Sequence, residues 1–340
     1  MSVPLTIVAS GMVTALGYNA PSTLAAIRAG VSGVRSSAWA DDESGEPMRC
    51  ARVRLPQRRG GSAHLSDLVA PAIYECLAAS PEPGVPLLIG IAHASRAGRP
   101  VNLDDELLPG IHARLGIAGH RESKLYAGDE AGCGQALHEA QRLIENGRAR
   151  YVVVAGVDSF LDRQTLDSYA ERRRLLTPAN FNGFLPGEAG SAVLVGAAPT
   201  ANGGLRIAGI GYAQEIATID DTKPLRGVGL TAAVKAALAS AGIGMADIAF
   251  RVTDLSGEHY KFKEAMFAAM RLDHLPRERP LDLWHPIEYL GQIGAAILPC
   301  ILAWTSHALR LGYAPGPRAL CHIGSDDGQR WALVAHADQT

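Results

Sequence analysis

Cysteine is sparse in this chain and follows no pattern. The five present, Cys50, Cys76, Cys133, Cys300 and Cys321, form no CxxC pair and keep no regular spacing. That speaks against a disulfide framework or a zinc site and fits a reducing cytoplasm. Charge is scarce too, at 19% of residues with a formal net charge of −2, so the overall balance draws the chain neither to nucleic acid nor to an anionic membrane. No window holds the roughly 18 uninterrupted apolar residues that a membrane span needs. The opening MSVPLTIVASGMV lacks a basic segment ahead of a long apolar core and reads as a first strand rather than a signal peptide. The chain is therefore expected to be soluble and cytoplasmic, without metal or cofactor. The short basic clusters Arg54, Arg58, Arg59 and Arg172, Arg173, Arg174 read as solvated faces rather than binding patches.

What the sequence does have is 47% hydrophobic residues over 340 positions, enough to bury a large α/β core. Strand and helix signals alternate. LTIVASGMV is a β-branched run, and PSTLAAIRAG, with proline at its start and glycine at its end, is a helix. Residues 40–62 show no clear period and read as a surface excursion. After them LSDLVAPAIYECLAAS predicts a helix and VPLLIGIAH a buried strand. GQALHEAQRLIENG places Ala136, Leu137, Ala140, Leu143 and Ile144 on one helical face, ends at Asn146 and Gly147, and leads into a strand from Tyr151.

The outline then recurs. Residues 143–156 and 309–324 each run from helix end through a glycine turn into a buried strand ending in glycine, and GSAVLVG and WALVAH close the two passages. TAAVKAALASAG and DIAFRVTDL extend the parallel. An internal duplication is expected, with halves at 1–200 and 201–340 divided near the Pro-, Asn- and Gly-containing turn at residues 199–204.

Four segments carry a resemblance: SGMVTALGYNAPSTLAAIRAGVSGVR, residues 127–158, NGFLPGEAGSAVLVG and YLGQIGAAILPC. In this order, across nearly the whole chain, they resemble β-ketoacyl synthases of the thiolase-like superfamily. The third is similar to that family's DGFxxGEGAGxLVLE stretch and is the most specific. The resemblance implies an α/β, thiolase-like five-layered αβαβα fold built from two duplicated halves. It also implies a homodimer or a heterodimer with a ketosynthase-like chain, and an acyl carrier protein or acyl thioester as a further partner.

The chemical positions depart from the family. Its reaction needs a thiol that becomes an acyl thioester, made reactive at a helix N-terminus, and two histidines that stabilise the oxyanion and assist decarboxylation. Similarity of the helix segment puts Glu130 at the cysteine position, with Cys133 one turn inside the helix. The HGTxTxxxD loop is matched by FRVTDLSGEHYKFKEA, with Thr253 or Asp254 at the first histidine's place and His259 further along. The KSxxGHxxGAAG loop is matched by PIEYLGQIGAAI, which sets Gly291 at the second histidine and Pro286 at the lysine. The closing GFGGTN loop becomes GSDDGQ, with Asp326 and Asp327 in place of an apolar gate.

Carboxylate attack on a thioester would give a mixed anhydride, a poor store for an acyl chain, and its charge would repel a malonyl carboxylate. An acidic residue near a helix start is also favourable in its own right. Two readings stand. One is a non-catalytic β-ketoacyl synthase-like protein acting as scaffold, acyl or small-molecule binder, or inactive dimer partner of a ketosynthase, with Glu130, Asp254 and Gly291 as degenerate positions. The other is an acyltransferase with a non-standard site, its candidates Cys133, His285 and His322, since a Cys–His pair is the minimum for thiol nucleophilic catalysis.

Overall fold

The computed structural model describes residues 3–197 and 204–337. Its first part comprises β1 (Leu5–Val13), α1 (Ala20–Arg28), β2 (Val34–Ala40), β3 (Pro47–Ala51), α2 (Gly61–Ala78), β4 (Leu87–Ile91), α3 (Leu103–Leu115), β5 (Lys124–Ala127), α4 (Gly132–Glu145), β6 (Tyr151–Ser159), α5 (Arg163–Glu171) and β7 (Glu188–Ala197). The second comprises β8 (Leu205–Gln214), α6 (Val228–Ala241), β9 (Phe250–Thr253), α7 (His259–Leu272), β10 (Asp282–Trp284), α8 (Ile287–Leu290), α9 (Ile297–Arg310), β11 (Arg318–Gly324) and β12 (Gln329–Ala337). Of the turn expected to divide the halves, all but Gly204 lies outside the described residues.

Both parts wind their sheet in the same order. From the outer edge inward the first runs β5-β4-β6-β7-β1 and the second β10-β9-β11-β12-β8. Counting main-sheet strands along each part, both orders are third, second, fourth, fifth, first. The directions match as well: β4 is parallel to β5 and β6, β9 to β10 and β11, and the remaining pairs are antiparallel. The two sheets join where Leu5–Ile7 of β1 pairs with Leu205–Ile207 of β8. This is the duplicated five-layered arrangement: α2 and α3 outside, the first sheet, a central layer of α4 and α9, the second sheet, then α6 and α7.

Burial explains the composition of each layer. β4 and β6 are covered on both faces and read as continuous apolar runs. α9 lies between the sheets and is apolar nearly all round, from Ile297 through Trp304. α4 reaches the same layer with small residues. A Cβ on Gly134 would fall 2.5 Å from the Trp331 ring of β12, so only glycine admits that approach.

One expected excursion is partly ordered. Residues 40–62 contain β3, which pairs with β2 as a hairpin, Arg35 opposite Cys50. Met48 and Cys50 point inward while Pro47 and Arg49 face out, and so short an alternation is easily lost among polar neighbours.

Candidate functional site

The head of α4 is a 3-10 turn, Asp129–Ala131, fed by β5 and packed against the matching turn Gly294–Ala296 that leads into α9. Asp129 adopts φ +47°, a left-handed conformation that acidic residues tolerate better than most. It is pinned there by the His93 N–H at 2.8 Å and by Arg96 at 3.2 Å. Arg96 also clamps Asp158, whose Oδ2 accepts from Ala295 N at 3.2 Å. The two turns of the central layer are thus tied by one guanidinium and one carboxylate.

Glu130 is buried, 7% exposed. Its Oε1 accepts a 2.7 Å hydrogen bond from Gln292 Nε2 and lies 3.9 Å from Lys261 Nζ. Lys261, on α7, gives its close contact elsewhere, to Asp254 Oδ2 at 2.8 Å, and also donates to the Gly324 carbonyl at 3.3 Å. Asp254 Oδ2 further accepts from Gly324 N at 3.0 Å. Burial lowers the ammonium's proton affinity, but Asp254 and then Glu130 outweigh it and hold Lys261 above its ordinary range. Burial pushes the Glu130 carboxyl up to about 8, against the opposing pull of Lys261 and with help from Asp129. Burial thus favours the protonated form of Glu130, and Asp254 is the anion in closest contact with Lys261.

A second buried cluster adjoins this one. Arg174 forks onto Glu258, Nε to Oε1 at 2.7 Å and Nη2 to Oε2 at 3.0 Å, and also grips Asp326, which accepts from the Tyr260 hydroxyl at 3.0 Å. Burial alone would raise Asp326, but Arg174 outweighs it and holds the carboxyl below its usual range. Between the clusters, Asp254, Tyr260, Lys261, His322 and Arg330 line a cavity of about 10 Å³, the size of a single water.

The residues expected from sequence are distributed as follows. Asp254 and Glu130 meet through Lys261. Gly291 has no side chain to offer, and its neighbour Gln292 reaches Glu130 instead. Thr253 is buried at the end of β9, His259 opens α7 as an exposed residue, and Pro286 is buried ahead of α8. Asp326 is drawn into the Arg174 cluster, while exposed Asp327 accepts from the Ser325 hydroxyl and from Gln329 Nε2 at 2.7 Å.

Cys133 is 0% exposed. Its Sγ donates to the Ala155 and Ala295 carbonyls at 3.2 and 3.1 Å. Burial pushes the thiol up to about 12. Gly90 and Gly156 leave it room: a Cβ on either would fall 2.6 or 2.8 Å from the sulfur. His322 borders the small cavity and is held neutral, lowered to about 4 by burial despite Asp254. His285 packs edge-on to Phe262, with Nδ1 buried and unpaired among the described residues.

Lys261, Gln292, Glu258 and Tyr260 were not singled out from sequence. Arg174 corrects the reading of its run as a solvated face. Arg172 and Arg173 are exposed and pair with Asp220 and Glu43, but the left-handed Arg173, φ +52°, turns the chain so that Arg174 is 6% exposed. Charge pattern carries no sign of that reversal. Among the described residues no group of three or more His, Cys, Asp or Glu could hold a metal ion, and no helix is long and apolar enough to cross a membrane.

No protein-family model matches the chain, and no curated protein matches it by sequence. Solved structures do match. One is an acyl-carrier protein of a type II polyketide synthase in complex with its ketosynthase bound to the hexaketide, with TM-score 0.81, 13% identity and 100% of both chains covered. Another is a ketosynthase in complex with its chain length factor from Xenorhabdus doucetiae, with TM-score 0.76, 16% identity and 98% of both chains covered. A third is the ketosynthase from module 6 of the bacillaene synthase from Bacillus subtilis 168, with TM-score 0.74, 14% identity, covering 99% of this chain and 72% of that one. The chain has the thiolase-like fold of ketosynthases and chain length factors.

Proposed function

We propose that this protein is a non-catalytic ketosynthase-like subunit that pairs with a ketosynthase-like chain. The observation that carries the reading is Glu130. At the head of the central helix, where the resemblance sets the reactive thiol, stands a carboxyl that is buried, hydrogen-bonded by Gln292 and pushed by burial toward its protonated form. A neutral carboxylic acid is not a nucleophile, and an acyl group placed on it would form a mixed anhydride. The void beside Lys261, Asp254 and His322, of about 10 Å³, favours a partner or scaffold over an acyl-chain binder.

Pairing has its own support. β5 is a short strand at the outer edge of the first sheet, and an edge strand offers unpaired backbone groups to a second chain. The structural neighbours include a ketosynthase with its chain length factor and a ketosynthase with its carrier protein. By that likeness the carrier protein would be met through the active partner. The test is co-expression with ketosynthase-like chains from the same source. A stoichiometric complex by mass photometry, with condensation activity residing in the partner's cysteine, is expected. A chain that stays monomeric in the presence of every such partner, or that condenses acyl and malonyl thioesters alone, would contradict the proposal.

A further inference from the structure

A cavity of about 630 Å³ opens between the β2–β3 hairpin, the strand-like stretch after it and the start of α2, within the volume range of ordinary small-molecule sites. Arg35, Arg52, Arg54 and Arg58 all line it, and its lining contains no aspartate or glutamate. The gathering follows from local geometry. Val53 points inward and donates its N–H to Glu188 Oε1 at 3.0 Å, so Arg52 and Arg54, on either side of it, project together outward. Arg35 comes from the opposite strand of the hairpin, across from Cys50.

These arginines differ from the buried ones. Arg96, Arg174 and Arg330 each pair with a carboxylate, to Asp158, Glu258 and Glu264. Among the described residues none of the cavity's four does. Arg35 donates to the Ser32 and Val34 carbonyls, Arg58 donates to the Leu161 carbonyl at 3.3 Å, and Arg52 lies over the Trp39 ring. Four like charges around one concavity repel each other and focus a positive potential into it.

A fifth group points the same way. His64 lines the cavity, is 6% exposed, and carries a buried Nδ1 with no hydrogen-bond partner. Its Nε2 sits 2.8 Å from Glu188 Oε2, a carboxylate that also accepts from Ser159 and Val53. Nε2 therefore donates to Glu188, which leaves Nδ1 as the orphan. An unmade buried hydrogen bond is costly. A phosphate P–O–H donating to Nδ1 would complete it.

We propose that this cavity binds a small ligand bearing more than one phosphate charge, at a site separate from the ion pairs at the head of α4. Guanidinium forks match phosphate oxygens in geometry as well as charge. The site does not depend on the dimer-partner reading and stands or falls without it.

Calorimetric titration of the full chain with inorganic pyrophosphate at low ionic strength tests it. One saturable site is expected, stronger than for inorganic phosphate, absent for acetate, and weakened by added salt. The exposed double variant Arg52→Gln/Arg54→Gln should lose about tenfold or more in affinity while its melting curve without ligand is unchanged. Arg172→Gln/Arg173→Gln, equally exposed but paired with carboxylates, should bind as the parent does. His64→Gln should also weaken binding, and if that variant fails to fold the arginine pair decides. Unsaturable heats, equal affinity in the parent and the Arg52/Arg54 variant, or retention of an acidic protein with no response to pyrophosphate would each overturn the proposal.

Discussion

The two turns that open α4 and α9 occupy the same place in two copies of one strand order, yet their middle residues are Glu130 and Ala295. At Ala295 the polar contacts are made by the backbone, its N–H donating to Asp158 Oδ2 at 3.2 Å. Its carbonyl would meet a Cβ on Gly156 at 2.0 Å and accepts from the Cys133 thiol. Around Glu130 lie Gln292, Lys261 and, one step further, Asp254. The frame tolerates an acid where a cation and an amide are built to receive it. It has no such provision at the equivalent point. The two turns share their packing and differ in the polar side chains around their middle residues.

The sharpest way to break that contrast is to exchange the residues. Ala295→Glu places an unpaired carboxyl in a filled space and should cost about 5 kcal/mol or more, abolishing cooperative folding. A urea melt close to the parent's would show that the second turn is as permissive as the first. Lys261→Met comes next. It strands Asp254 beside Glu130 without a cation, an expected loss of about 3–5 kcal/mol, and adding Asp254→Asn should restore part of it. If the single variant is neutral, the ion pair does not hold the site.

Glu130→Gln has a smaller effect with a definite sign. The folded carboxyl binds its proton up to about 8, whereas the ordinary value is 4.5. The native state therefore holds a proton that the unfolded chain releases first, and stability from this group falls as pH rises between those values and is level above them. Glu130→Gln removes that portion of the slope, so parent and variant should diverge with rising pH, the variant gaining. Parallel pH profiles would place the carboxyl in the ionised form throughout. The smallest expected effect is none: all five cysteines are buried, so a thiol reagent should label no site in the folded protein and five after denaturation. Rapid native labelling of Cys133 would return it as a candidate nucleophile.

The difference between the two turns also explains what could be read in advance. The recurring helix–turn–strand outline was legible because it rests on runs such as those of β6 and β11, whose buried apolar character is written residue by residue, whereas the order of strands in the sheet was not. Glu130 and Asp254 were legible as departures from a resemblance. Lys261 was not, because it sits on α7 among exposed residues such as His259 and Lys263 and its inward aim depends on tertiary packing. Gln292 was hidden by register. The matched loop drew attention to Gly291, while the adjacent side chain makes the contact. Arg174 was hidden by the two exposed arginines before it.

The most direct measurement is the intact mass of the protein after incubation with acyl and malonyl thioesters, followed by peptide mapping. An unchanged mass is expected, with Glu130 and Cys133 both unmodified. A stoichiometric acyl adduct mapped to either residue would contradict the proposal that the head of α4 is inert.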